Sequence, residues 1–236
     1  MTASPRAVLW KRLSLESAVI VASILLAFAI DAAWDQFQEA RRVQDYLLAL
    51  EGEFQEALVE MDDQISDHTR QLASVDSLIQ LLASGEPSDR MGSWLDDLRA
   101  VYVFGPYHPV FEDLANATSV DLLGSPELRF ALLRYGQAKE FLAVLSAREL
   151  RLWEDRMNPH LLENLDVLAY YGDAPQQALE PRFPSGLESL YRDRYFQNLL
   201  LQRRGIISSQ LGLDDEVRRG ITDVLEQIAA QREGSV

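Results

Sequence analysis

Residues 18–30 read AVIVASILLAFAI, a run without a single charge, and Leu13, Leu15 and residues 32–34 lengthen the mostly apolar stretch. It reaches the ~20 residues that carry an α-helix across ~30 Å of hydrocarbon. A segment of this kind crosses a bilayer, is removed as a secretion signal, or needs an apolar partner. Arg6, Lys11 and Arg12 precede it against the single acid Glu16, while nearly all the acids of the chain follow it. A basic flank stays on the cytoplasmic side. The expected layout is a short cytoplasmic N-terminus at 1–12, a transmembrane helix at 13–34 and a periplasmic helical domain at 35–236.

Three residues mark the rims of this span. Glu16 follows Ser14 in the first helical turn, where free backbone N–H groups favour a carboxylate. Asp31 is expected at the headgroup level, and Trp34, like Trp10 at the other end, suits the water–lipid boundary. One acid at each rim makes a poor proton relay, so neither is assigned transport chemistry. The alternative is a cleaved signal, for which Ala27-Phe28-Ala29 supplies small residues. No polar, helix-breaking segment precedes those alanines, which favours an anchor.

After Trp34 a three-and-four spacing runs through Gln36, Ala40, Val43, Leu47, Leu50, Phe54, Ala57 and Met61. That is a heptad. Traced backwards it meets Ala33, Ala29, Leu26 and Ala22, which form the expected packing face of the span. Beyond Met61 it continues at Ile65, His68, Leu72, Val75, Ile79 and Leu82 only after an extra step of four, which predicts a stutter. Leu48, Leu58, Leu78 and Leu81 widen the later stripe, so residues 47–82 are expected to pack within the chain. Residues 22–40 have no second span to meet and are expected to contact another subunit. Gly85-Glu86-Pro87 ends the helix.

Glu16-Ser17, the run 18–30, Asp31 and Trp34, followed by Tyr46-Leu47 on a charged helix, resemble a domain-of-unknown-function family of bacterial single-pass membrane proteins. Phe111-Glu112-Asp113-Leu114, Val120-Asp121-Leu122-Leu123, Pro126-Glu127-Leu128-Arg129 and Leu133-Arg134-Tyr135 extend the similarity over roughly the first 145 residues. Ser23 stands where the family has Gly, and Trp34 falls one residue late. The resemblance implies topology, with a bacterial inner-membrane location, and no activity.

The rest of the chain predicts further helices. One is expected around 94–104, stopping at Gly105-Pro106, and another from Pro109 to about Asn116 and Thr118. Ser125-Pro126-Glu127 is a helix start with an expected inner face at Leu128, Leu132, Tyr135, Leu142, Leu145 and Leu152. Asn158-Pro159 restarts a helix that ends at Gly172, and residues 172–186 predict a loop. Ser185 with Glu188 predicts a capped helix to about Gly212, and Asp214 caps a last one containing Ile221, Val224, Leu225 and Ile228. No period-two strand appears. The expected fold is all-α, a transmembrane helix continuous with a long helix and packed into an extracytoplasmic bundle.

Chemistry is defined mostly by what is missing. The absence of cysteine excludes disulfides, thiolate metal sites and cysteine nucleophiles. A net charge of −15 disfavours nucleic acid as a partner. No phosphate-binding Gly-rich loop, nucleophile elbow, zinc helix or calcium loop is present. Asp63, Asp67 and His68 cluster on the long helix, but His68 falls on the seam while the acids point elsewhere, so no metal and no cofactor is expected. Tyr107, His108 and Phe111 form an aromatic, proline-flanked segment, either an interaction loop or a hydrophobic end cap. Arg192, Arg194, Arg203 and Arg204 form a basic strip that suits lipid phosphate, an acidic partner or simply solvent.

The sequence thus predicts a non-enzymatic accessory subunit of a membrane assembly, either homo-oligomeric or a respiratory or photosynthetic complex. Its expected partners are membrane lipid and other membrane-protein subunits or its own copies. A membrane-anchored sensor is the alternative, weakened because residues 1–12 are too short for an output domain. A secreted helical binding protein with a cleaved signal is a further one.

Overall fold

The computed structural model describes residues 5–106, 108–116, 125–165 and 187–234, with the side chains of residues 5–20, 115, 116 and 188 excepted. Every regular element among them is helical. They are α1 (Pro5–Ser84), α2 (Met91–Asp97), α3 (Pro109–Asn116), α4 (Pro126–Leu152), a π-helical turn (Trp153–Met157), α5 (Asn158–Asn164), α6 (Leu187–Leu190) and α7 (Arg194–Glu233). The chain divides into two compact units, Met1–Ala49 and Leu50–Val236.

In the first unit, residues 21–42 are exposed on every side of the helix. No helix among the described residues is long and apolar enough to cross a membrane. The span expected at 13–34 falls only in part on described side chains. The described part, residues 21–34, is shorter than the ~20 residues a crossing needs.

In the second unit, α1 is buried at Leu50, Phe54, Ala57, Met61, Gln64, His68, Gln71, Val75, Leu78 and Leu82. The heptad therefore runs on without the expected stutter. Ile65, Leu72 and Ile79, expected on the seam, are half-buried flanks. Polar Gln64 and Gln71 take the seam because each amide finds a partner, buried Asp214 for Gln64 and the carbonyls of half-buried Asp97 and Ala100 for Gln71. Gly85, at φ +71°, then stops the helix, and its N–H donates to the Leu81 carbonyl at 3.0 Å.

α2 ends at Asp97, earlier than the sequence suggests. The Gln71 amide takes the carbonyls of Asp97 (3.1 Å) and Ala100 (2.6 Å), and the β-branched and aromatic run Val101-Tyr102-Val103 does not favour helix. α4 begins as expected, with the Ser125 hydroxyl accepting from the Leu128 N–H at 3.2 Å and Pro126 in the first turn. Its inner face includes Ser146 and Glu149, while Leu145 is only half-buried. At Asn158-Pro159 the helix widens into the π-helical turn rather than stopping and restarting. Pro159 has no N–H to donate to the preceding turn, and just before it the Asn158 N–H reaches back five residues to the Trp153 carbonyl. The helix α5 ends at Asn164, with Leu165 already extended, short of the expected stop at Gly172; Gly172 itself and the loop 172–186, Ser185 included, lie outside the described residues.

α7 differs most from expectation. It starts at Arg194, with the Asp193 carboxylate accepting from the N–H groups of Tyr195 (2.8 Å) and Phe196 (3.0 Å), and runs unbroken past Gly212 and Asp214 to Glu233. Asp214 caps nothing: its side chain is fully buried and bonded across to α1. We expect Asp193→Ala to cost about 1–2 kcal/mol through loss of this cap, read as a lower denaturation midpoint.

α7 lies antiparallel to α1, as the order of their ion pairs shows: Glu51 with Arg232, Asp62 with Arg218, Asp76 with Arg204. It also lies antiparallel to α4, through Arg134 with Asp223 and Glu149 with Arg203. At Gly220 the helices approach so closely that a Cβ there would lie 3.4 Å from the Tyr135 Cα.

Candidate functional site

The interior of the second unit changes character along the long helices. Near the α1 C-terminus it is apolar, with Val75, Leu78, Leu95, Leu98, Leu200 and Ile207 all fully buried. The middle is polar. Asp214 accepts from the Gln64 amide at 2.9 Å, and its other oxygen lies 2.6 Å from Nδ1 of His68. Both His68 and Asp214 are 0% exposed. About three turns back along α7, Arg203 donates to Glu149 and to the Ala100 carbonyl, each at 2.8 Å, and its guanidinium lies 5.2 Å from the Trp153 ring centre. Arg203 and Glu149 are also fully buried.

This layer is costly to build. Gln210, Ser146 Oγ, Glu149 Oε2 and His68 Nε2 are buried with no hydrogen-bond partner among the described residues. Such groups each lose on the order of 1–3 kcal/mol of hydration. A core of this kind specifies how helices pair more than it adds stability.

At the other end lies an aromatic cluster. Phe54 and Tyr135 have ring centres 4.8 Å apart, with Phe111 5.2 Å from Tyr135 and His108 5.3 Å from Phe54. Glu53 positions it: its carboxylate accepts from the N–H groups of Val110 (2.8 Å) and Phe111 (3.1 Å), which fixes the start of α3. His108 is fully buried, with Nε2 3.3 Å from the Tyr135 hydroxyl. Burial, assisted by the positive charge of Lys139, pushes the His108 imidazole down from 6.5 to about 4. Burial, then the nearby Glu60 and Glu53, pushes the Tyr135 hydroxyl up. Both groups are neutral at pH 7.

The sequence-derived candidates therefore separate. His108 and Phe111 are buried in this cluster; Tyr107 lies outside the described residues. Asp63 is exposed and Asp67 pairs with Arg70 at 2.7 Å, so neither joins His68. No group of three or more His or carboxylate side chains among the described residues could hold a metal ion. The basic strip divides: Arg203 turns inward, Arg204 pairs with Asp76, and Arg192 and Arg194 face solvent. His160 pairs with Asp193. Burial raises the Asp193 carboxyl, but the Phe196 N–H, His160 and the Tyr195 N–H outweigh it and hold the group below its ordinary range.

Beside the cluster, between α3 and α4, opens a cavity of about 450 Å³. Phe111, Leu132, Leu133 and Ala143 give it apolar walls, with Lys139 and Arg129 among them. Gly136 contributes bare backbone to the lining, and a Cβ there would meet the Phe111 ring at 3.5 Å, an ordinary contact. On the outward face of α4, Phe130, Leu133, Phe141 and Val144 are each more than half exposed. Spacing from Met61 to Gln64 to His68 to Gln71 was a signal for the polar layer, masked by the polarity of the two glutamines. Comparison with protein-family models, curated proteins and solved structures finds no match for this chain.

Proposed function

We propose that this protein is a non-enzymatic, single-pass protein of the bacterial inner membrane, anchored by residues 13–34, whose helical bundle beyond the membrane is an interaction subunit of a larger membrane assembly. One observation carries the proposal. Val21, Ile24, Leu25, Leu26, Phe28, Ile30 and Trp34 project from all sides of α1 with at least half of their surface open. Apolar side chains displayed around a whole helix need a hydrocarbon or protein environment. The basic residues before the run give its orientation. The apolar outward stripe on α4 supports a binding rather than a catalytic role, because large exposed patches mark contact surfaces.

The face Ala22, Leu26, Ala29 and Ala33 is the proposed contact between spans, since helices in lipid associate where small residues let backbones approach. Ala29→Leu and Ala33→Leu are expected to weaken the assembly by about 1–2 kcal/mol and to release smaller species on a native gel, with helicity unchanged. The topology is tested by alkaline extraction and by a periplasm-dependent reporter fused after Val236. Retention in the membrane with an active reporter supports the proposal. Release into the alkaline supernatant, or a mature chain beginning at Ile30, overturns it.

A further inference from the structure

The cavity between α3 and α4 has the size of a small-molecule site, within the ~300–1,000 Å³ range of such pockets. Its charged lining residues differ in exposure. Arg129 and Lys139 are half-buried, whereas the acids Glu112 and Glu140 stand exposed at the rim. Lys139 makes no ion pair with any described residue; its ammonium instead lies 6.0 Å from the centre of the Phe111 ring. In a chain of net charge −15, where arginines of α4 and α7 find carboxylates, a half-buried lysine facing an apolar cavity is an anion site waiting for a ligand. The walls set the rest of the ligand. Phe111, Leu132, Leu133 and Ala143 offer ring and methyl surface, and Gly136 adds bare backbone to the lining.

We propose that this cavity binds a small organic carboxylate with an aromatic or short acyl body, its head on Lys139 and its body between Phe111 and the α4 side chains. A carboxylate matches the lysine, and the apolar walls exclude small hydrophilic anions, which would lose hydration without gaining contact. The proposal does not rest on the membrane topology.

The test titrates 4-phenylbutyrate, 4-phenylbutanol and 4-phenylbutylamine into the full chain, in nanodiscs or, should it leave the membrane on extraction, in buffer alone. Methyl resonances of Leu132, Leu133 and Ala143 report the site. Phenylbutyrate is expected to shift them saturably, with the alcohol about tenfold weaker and the amine inactive, as loss of a charge-assisted contact dictates. Lys139→Gln should weaken phenylbutyrate by a similar factor and Lys139→Arg should restore most of it. Ala143→Phe, at an exposed position, should fill the cavity and abolish the shifts while the rest of the spectrum stays put. Equal binding of all three head groups, binding unaffected by Lys139→Gln, or no saturable shift up to the solubility limit would each overturn the proposal.

Discussion

Arg203→Met is expected to destabilise the fold by about 3–5 kcal/mol, because it leaves the Glu149 carboxylate buried without its cation. Against a typical total of ~5–15 kcal/mol this brings the chain close to unfolding at growth temperature. Glu149→Leu alone should cost a similar amount, for the mirror reason. The double replacement Arg203→Met with Glu149→Leu should recover most of the loss, since two apolar side chains of similar volume avoid desolvating either charge. Denaturation midpoints of the four proteins form the cycle. A single variant within about 1 kcal/mol of the parent would mean that the pair is solvated and that the polar layer is open to water.

The second large effect is a dependence on pH. His108 is neutral in the folded state, with its imidazole at about 4, and in the unfolded chain it titrates near the ordinary 6.5. Between those values the unfolded state binds more protons than the folded one, so stability falls as the pH drops. The loss begins near pH 6.5, is complete near pH 4 and amounts to roughly 3–4 kcal/mol, at ~1.4 kcal/mol for each pH unit of that window. The Glu53 carboxylate, 3.9 Å from Nδ1, does not prevent this, since it is engaged by two backbone N–H groups. His108→Phe should flatten the pH dependence in this window relative to the parent, whatever it does to absolute stability. Parallel slopes of midpoint against pH for the two proteins would assign the effect to other groups.

What the sequence disclosed follows from the range of the interactions involved. The all-helical class, the start of α4 at Ser125 and the stop of α1 at Gly85 depend on contacts within one or two turns, and they were legible. Asp214 was not. Following Gly212, it has the local chemistry of a helix cap, and only partners on α1, far away in sequence, turn its carboxylate inward. Gln64 and Gln71 failed in the same way: hydropathy removes them from a seam that tertiary hydrogen bonds restore. His108 shows the limit for the candidate site. An aromatic, proline-rich segment reads as a surface loop or as an end cap, and the hold that Glu53, from another helix, has on the start of α3 is not legible in it. The α3–α4 cavity had no sequence signal, because it forms only where Phe111 and Glu112 of α3 meet side chains of α4.

The three arginines that join α7 to α1, Arg204, Arg218 and Arg232, stand two heptads apart from one to the next. If α7 slid by one heptad along α1, its apolar stripe would still find an apolar stripe. Every arginine would lose its acid, however: Asp76 would be replaced by Thr69 or Ala83, Asp62 by Gln55 or Thr69, and Glu51 by Gln44 or Leu58. Each exposed pair is worth little alone, but the three agree on a single alignment, and the fixed polar partners of Asp214 agree with them. Piston-like sliding of one helix past the other is thereby blocked, as on a ruler whose marks coincide at one setting. Force applied along α1 would be carried through the second unit as by a strut rather than converted into a change of register.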